Sequence, residues 1–326
     1  MSNAARHERM TPPLAGVGTV ADYWRLMKPN VMGLVVFTGL VGIVAAPRTV
    51  HPVLALASLL CIAVGAGAAG ALNMWYERDI DAAMQRTRSR PIPCGRVRAE
   101  EAATFGGVLA FGSVMSMAFL VSYVAAALLA LTIAFYLFVY TMWLKPRTPQ
   151  NIVIGGASGA LPPVIGWASV TGRLDIEALA LFLIIFLWTP PHFWALALYR
   201  TADYDRVGMP MLPVVAGAAR TRLEILIYSV LLVASTFLPY VMGYAGELYL
   251  LIATVSGIGF LVHAFRLWVR GRAADRAGAD RKLKVAADQA ARGLFRYSTY
   301  YLFALFAVLL IEHTFEWVSR PLFAGL

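Results

Sequence analysis

The feature that most constrains this chain is an uninterrupted apolar run. From His51 to Leu72, HPVLALASLLCIAVGAGAAGAL holds 22 residues and no formal charge, and about 20 apolar residues suffice to cross the hydrocarbon core of a bilayer. Similar runs recur, predicting nine spans at roughly 24–46, 52–76, 101–121, 124–144, 152–170, 176–199, 222–243, 247–269 and 295–317. No stretch alternates with a period of two, so the spans are helices, which satisfy their own backbone hydrogen bonds in lipid. With 60% hydrophobic residues, 14% charged and a mean hydropathy of +0.67, the expectation is an all-α integral membrane protein.

A net charge of +10 and a pI near 9.8 would suit a nucleic-acid binder, but the placement of the charge argues against one. On the nine-span scheme, all of the 28 Lys and Arg except Arg48, Arg173 and Arg320 fall on one side. The positive-inside rule makes that side the cytoplasm. It puts the N-terminus inside and makes 77–100, 145–151, 200–221 and 270–294 cytoplasmic loops of a single transmembrane domain over 23–318. Residues 1–22 lack the apolar core of a signal peptide and read as a disordered cytoplasmic lead; 319–326 read as a short tail. Tyr23, Trp24, Arg25 and Lys28 read as an interfacial anchor. The basic segment 266–296 reads as an amphipathic connector touching anionic lipid. Cys61 and Cys94 imply neither a disulfide framework nor a zinc site.

Most of the chemistry lies in Asn73–Gly95, NMWYERDIDAAMQRTRSRPIPCG. Asn73, Glu77 and Asp81 fall at i, i+4 and i+8, one stripe of a helix, and they continue directly from the lipid-embedded run, where polar groups are costly and usually functional. Arg86, Arg88 and Arg90 follow before Pro91 and Pro93 end the helix. An amide-and-carboxylate stripe with arginines folded back over it suits a metal-bridged diphosphate: the acids hold Mg²⁺ and the guanidiniums take phosphate oxygens. A second cluster closes the sixth span, where Tyr199 and Asp203 stand at i and i+4 with Arg200 and Arg206 nearby. Asp81…Pro91-Ile-Pro93 and Asp203…Pro210-Met-Leu-Pro213 form a weak internal repeat, predicting two half-sites around one cavity. Lys145 follows the fourth span, with Arg147 close by. Gly155, Gly156, Gly159, Pro162 and Pro163 predict an irregular fifth span. His192 follows Pro190-Pro191 at an expected kink, either as an interhelical hydrogen bonder or as a contact to a tetrapyrrole.

These residues resemble the UbiA superfamily of intramembrane prenyltransferases, from about Tyr23 to Phe315. The superfamily pattern, Asn-x3-Asp-x3-Asp and then Asp-x3-Asp, appears as Asn73-x3-Glu77-x3-Asp81 and Tyr199-x3-Asp203. The two departures look like the haem-directed branch, as do RTRSRPIP, NIVIGGASGALPPVIGW, WTPPHFWALA and GMPMLP. The resemblance implies nine transmembrane helices around a central cavity in a bacterial inner membrane. It implies transfer of farnesyl from farnesyl diphosphate to a vinyl group of protohaem IX, giving haem O, with Mg²⁺ as cofactor. Asn73, Glu77, Asp81 and Asp203 would hold metal, with Tyr199 beside them. Arg86, Arg90 and Lys145, with Arg147 and Arg200 as further candidates, would bind diphosphate, and His192 would contact haem. The next enzyme of haem A synthesis is a candidate partner. The rival readings are a related prenyltransferase with another aromatic or tetrapyrrole acceptor, and a transporter or haem scaffold.

Overall fold

The computed structural model describes residues 18–276 and 280–315, and among these every regular element is a helix. The expected lead lies outside the described residues as far as 17, and the expected tail at 319–326 lies outside them entirely. In chain order the helices are α1 (Val20–Leu26), α2 (Pro29–Ala45), α3 (Pro52–Tyr76), α4 (Arg78–Ala83), α5 (Ala99–Leu120), α6 (Tyr123–Leu144), α7 (Asn151–Ala160) and α8 (Pro162–Thr171). There follow α9 (Ile176–Leu198), α10 (Thr201–Arg206), α11 (Leu212–Val215), α12 (Gly217–Ser235), α13 (Leu238–Val241), α14 (Glu247–Ala274) and α15 (Arg281–Thr314). Among the described residues eight units are long and apolar enough to cross a bilayer, and nine with the bent pair α1–α2. The protein is a multi-pass membrane helix bundle.

Among the described residues three spans are broken, α12–α13 at Thr236–Phe237 and two others directly before a proline. The first, expected to be continuous from 24 to 46, bends by 57° between α1 and α2. Lys28 precedes Pro29, whose ring excludes a right-handed helical conformation before it. Lys28 instead adopts φ 57°, ψ 59°, the left-handed region, where a non-glycine residue carries roughly 1–3 kcal/mol of strain. The fifth span breaks at Leu161, and α8 restarts on Pro162. By contrast, α9 runs through Pro190 and Pro191 to Leu198.

Close packing rests on small residues. A Cβ added to Gly42 would collide with the Pro163 carbonyl, and one on Gly166 with the Gly39 carbonyl, so α2 and α8 cross at backbone contact. The largest core is built from α9, α12, α14 and α15 around Trp194, Phe260, Tyr301 and Phe306. A smaller one joins α3, α5, α6 and α8 around Ile62, Met117 and Leu129. Apolar side chains such as Phe111, Phe119, Leu131 and Phe138 point outward, as a lipid-facing surface requires.

Candidate active site

The end of α3 builds the first half of the site. The helical hydrogen-bond pattern continues from the Asn73 carbonyl to the Glu77 amide and from the Glu77 carbonyl to the Asp81 amide, so the expected stripe persists into α4. Glu77 marks the change of helix, with φ −87° and ψ 10°. Asn73, Glu77 and Asp81 are all buried, at 2%, 5% and 3% exposure. Carboxylates at that depth need partners, and each member of the motif has a cation. Lys28 donates to Asn73 Oδ1, Lys145 pairs with Glu77, and Arg90 reaches Asp81 at 2.6 Å. The loop after α4 does fold back: Thr87 donates to the Asp81 carbonyl at 2.9 Å, and Arg96 ties the loop to Asp22 of α1 at 2.8 Å.

A π-helical segment, Phe135–Leu144, ends α6 and supplies the opposite wall. Such segments are rare and often mark functional sites. Asn73 Nδ2 donates to Thr141 Oγ1 at 3.0 Å, and that hydroxyl donates to the Tyr136 carbonyl at 2.8 Å. Lys28 and Tyr136 both line a narrow cavity of about 130 Å³, whose walls are otherwise mostly apolar: Val31, Ile62, Ala66, Leu129, Ile133 and Ile165. The polar motif therefore adjoins a mostly apolar cavity, a surface suited to an alkenyl chain.

The second half repeats the backbone of the first. Tyr199, between α9 and α10, has φ −93°, ψ 5°, nearly the conformation of Glu77, and α10 is a six-residue helix like α4. Tyr199 thus corresponds to Glu77 and Asp203 to Asp81. Ile80 of α4 and Tyr204 of α10 pack on the same core. The side-chain chemistry differs, however. Asp203 is held loosely by Arg200 at 3.7 Å and Arg206 at 3.9 Å. The Tyr199 ring carries Arg292 at 4.7 Å and Arg200 at 5.9 Å. Burial raises the Tyr199 phenol above its ordinary pKa, while the positive charges of Arg200 and Arg292 pull it down.

The structure thus brings together Asn73, Glu77, Asp81, Arg90 and Lys145, with Tyr199, Arg200 and Asp203 in the second half. Arg86 is exposed and makes no ion pair among the described residues. Arg147 is exposed and donates to the Met142 and Trp143 carbonyls of its own span, at 3.3 and 3.2 Å. His192 is buried, its ring stacked between Trp188 at 4.2 Å and Phe295 at 4.5 Å, with Nδ1 2.7 Å from Ser298 Oγ. It does not line the apolar cavity. Lys28, Thr141 and Arg292 are the residues that sequence reasoning missed. Lys28 looked like an interfacial anchor, and only its place directly before a proline hinted otherwise. Arg292 was one of many charges in a basic segment.

The donor set fits a hard divalent cation in one specific way. Asn73, Glu77, Asp81 and Asp203 offer only oxygen, yet among the described residues no three His, Cys, Asp or Glu converge into a metal cage. Mg²⁺ needs no such cage, since it is commonly held by one or two carboxylates together with water and substrate phosphates.

An asparagine-and-acid motif closed by lysine and arginine, beside an apolar cavity in a helical membrane bundle, suits a substrate with a charged head and an apolar tail. The chain belongs to the UbiA prenyltransferase family, whose model matches residues 35–287. It is 59% identical over 300 residues to a protoheme IX farnesyltransferase of Parvibaculum lavamentivorans, covering 92% of this chain and 91% of that one. A protoheme IX farnesyltransferase of Caulobacter vibrioides is 56% identical, over 89% and 90% of the two chains. Among solved structures, a digeranylgeranylglyceryl phosphate synthase shares the fold at a TM-score of 0.72 with 16% identity, covering 90% of this chain and 98% of that one. A UbiA homologue of Archaeoglobus fulgidus bound to DMAPP and Mg²⁺ superposes at 0.61 with 16% identity, over 88% and 99%.

Proposed function

We propose that the protein transfers the farnesyl group of farnesyl diphosphate to a vinyl group of protohaem IX, giving haem O and diphosphate. The observation that carries the reading is the buried triplet Asn73, Glu77 and Asp81, each member matched to a basic side chain at the edge of an apolar slot. The identity to protoheme IX farnesyltransferases supports the choice of substrates.

The chemistry asks the protein to stabilise a leaving diphosphate and to protect an allylic cation. Mg²⁺, when bound, supplies charge neutralisation at the leaving group. Asn73, Glu77, Asp81 and Asp203 are the oxygens that would hold it, with Tyr199 bordering the second pair. Arg90 and Lys145 exchange their carboxylate partners for phosphate oxygens as the C–O bond breaks, and Arg200 serves from the second half. Arg86 and Arg147 contribute positive potential from further out. The slot keeps the isoprenoid chain from water, and Tyr136 and Tyr140 offer ring faces to the cation. The terminal vinyl carbon attacks C1 of the farnesyl cation, forming the new C–C bond. Water captures the cation left beside the macrocycle and loses a proton, completing the hydroxyethylfarnesyl side chain. His192 would act on the haem side, within the α9–α15 wall. The same reading places the protein in a bacterial inner membrane, N-terminus in the cytoplasm, handing its product to the next enzyme of haem A synthesis.

The test is direct. Membranes containing the protein, incubated with farnesyl diphosphate, Mg²⁺ and protohaem, should yield haem O by mass, and membranes carrying Asp81→Ala should not. Farnesylation of some other acceptor, with protohaem left unchanged, would overturn the haem assignment.

A further inference from the structure

The two half-sites share a backbone but not a charge balance. In the first, the residue at the helix break is Glu77, and its carboxylate neutralises Lys145. In the second the corresponding residue is Tyr199, which offers a ring but no charge. Arg292 stacks on that ring at 4.7 Å, and Arg296 lies one turn further along the same helix, next to Phe295, which meets the ring edge-on. Both arginines are exposed, and among the described residues neither has a carboxylate within ion-pair distance. Arg200, the third cation around Tyr199, has only Asp203 at 3.7 Å. Asp203 is shared by Arg200 and Arg206, while among the described residues Arg292 and Arg296 keep their charge unpaired at this point.

The unpaired charge borders an aromatic wall. Phe295, one position before Arg296, stacks on His192 and meets the Tyr199 ring edge-on at 6.3 Å. An apolar slab with guanidiniums along one edge complements a flat macrocycle carrying carboxylates along one edge. We propose that Arg292 and Arg296 form the carboxylate-binding edge of the acceptor site, pairing with the two propionates of the tetrapyrrole and so fixing the direction in which its opposite, vinyl-bearing edge points. Guanidinium–carboxylate pairs of this kind are forked and directional, which would fix the orientation of the ring as well as its affinity. The proposal rests on the haem reading above.

Its test compares protohaem with protohaem dimethyl ester, which keeps the ring and loses both charges. In the wild type the ester should show a KM at least 10-fold above that of protohaem. Arg292→Gln/Arg296→Gln should raise the KM for protohaem to that of the ester, leave the ester's own KM unchanged, and leave the KM for farnesyl diphosphate unchanged. Lys284→Gln, an exposed charge elsewhere on α15, should alter none of these values. If the double variant raises the KM for farnesyl diphosphate instead, the arginines serve the diphosphate and the proposal is overturned. Equal use of protohaem and its ester by the wild type would overturn it as well. A wild type that farnesylates neither would defeat the haem reading itself, a result distinct from either of these.

Discussion

Lys28 shows how much a single residue can hold in this bundle. Its backbone sits in the left-handed region, its side chain reaches Asn73, and α3 receives the Leu26–Met27 carbonyls against Gly70. Backbone and side chain can be tested apart. Glycine tolerates φ 57° freely, whereas alanine keeps the strain and loses the contact. Purified Lys28→Gly should therefore be more stable than Lys28→Ala by about 1 kcal/mol, read as a higher melting midpoint in detergent. Equal midpoints would mean that the left-handed turn carries no strain. Asp81 answers to electrostatics instead. Asp81→Ala leaves Arg90 without its 2.6 Å partner and removes a carboxylate from the motif. Farnesyl transfer should fall by roughly 100-fold or more, the scale seen when one preorganised electrostatic contact is removed, while protein still accumulates in the membrane. Near-normal activity at saturating Mg²⁺ would take Asp81 out of the site.

At the scale of elements, the π-helical end of α6 aims two residues at once, Thr141 at Asn73 and Lys145 at Glu77. Deleting Phe138, an outward-facing residue at 59% exposure, would remove a residue that the π ladder accommodates and so change how the segment presents Thr141 and Lys145. The deletion should abolish activity, whereas Phe138→Ala, which keeps the register, should retain most of it; similar activity in both would show that the register is unimportant. The α2–α8 crossing makes a matching pair. Gly42→Ala drives a Cβ into the Pro163 carbonyl, which cannot move aside as a side chain would, and should cost 1–3 kcal/mol or more, about the scale of overpacking. Gly33→Ala on the same helix meets nothing within 4 Å and should be neutral or slightly stabilising. These elements also mark what the sequence could and could not convey. Apolar run length revealed the spans, and the i, i+4, i+8 spacing revealed Asn73, Glu77 and Asp81, because both follow from local periodicity. Pro162-Pro163 announced the broken fifth span. The π segment left no such trace in FYLFVYTMWL, since hydrophobic residues all round hide the phase of the helix. The pairing of Tyr199 with Arg292 depends on α9 meeting α15 across 93 residues of chain, a contact that no local pattern encodes.

For the whole molecule, the decisive relation is that both half-sites must open to one side of the membrane. Glu77 and Tyr199 share a backbone conformation at their helix breaks, and Ile80 of α4 and Tyr204 of α10 pack on one core; the charge distribution predicts the side to which the halves open. Basic residues crowd the loop after α4 and recur after α6 (Lys145, Arg147) and around α10 (Arg200, Arg206), while Arg48 and Arg173 stand alone at the opposite helix ends. Transfer of many arginines across the bilayer is opposed, which predicts that the crowded side stays in the cytoplasm. Impermeant maleimide can check this with one cysteine at a time, after replacing Cys61 and Cys94 with serine. In intact spheroplasts Arg48→Cys and Arg173→Cys should label, and Arg98→Cys and Arg147→Cys should label only once the membrane is opened. All four positions are exposed, so a failure to react would report the side of the membrane and not burial. Labelling of position 98 from outside with 147 still protected would put the two walls of the Glu77–Lys145 pair on opposite faces, and a shared diphosphate site could not exist. Labelling of both from outside would instead keep the site whole and invert the protein, turning its mouth away from the cytoplasm.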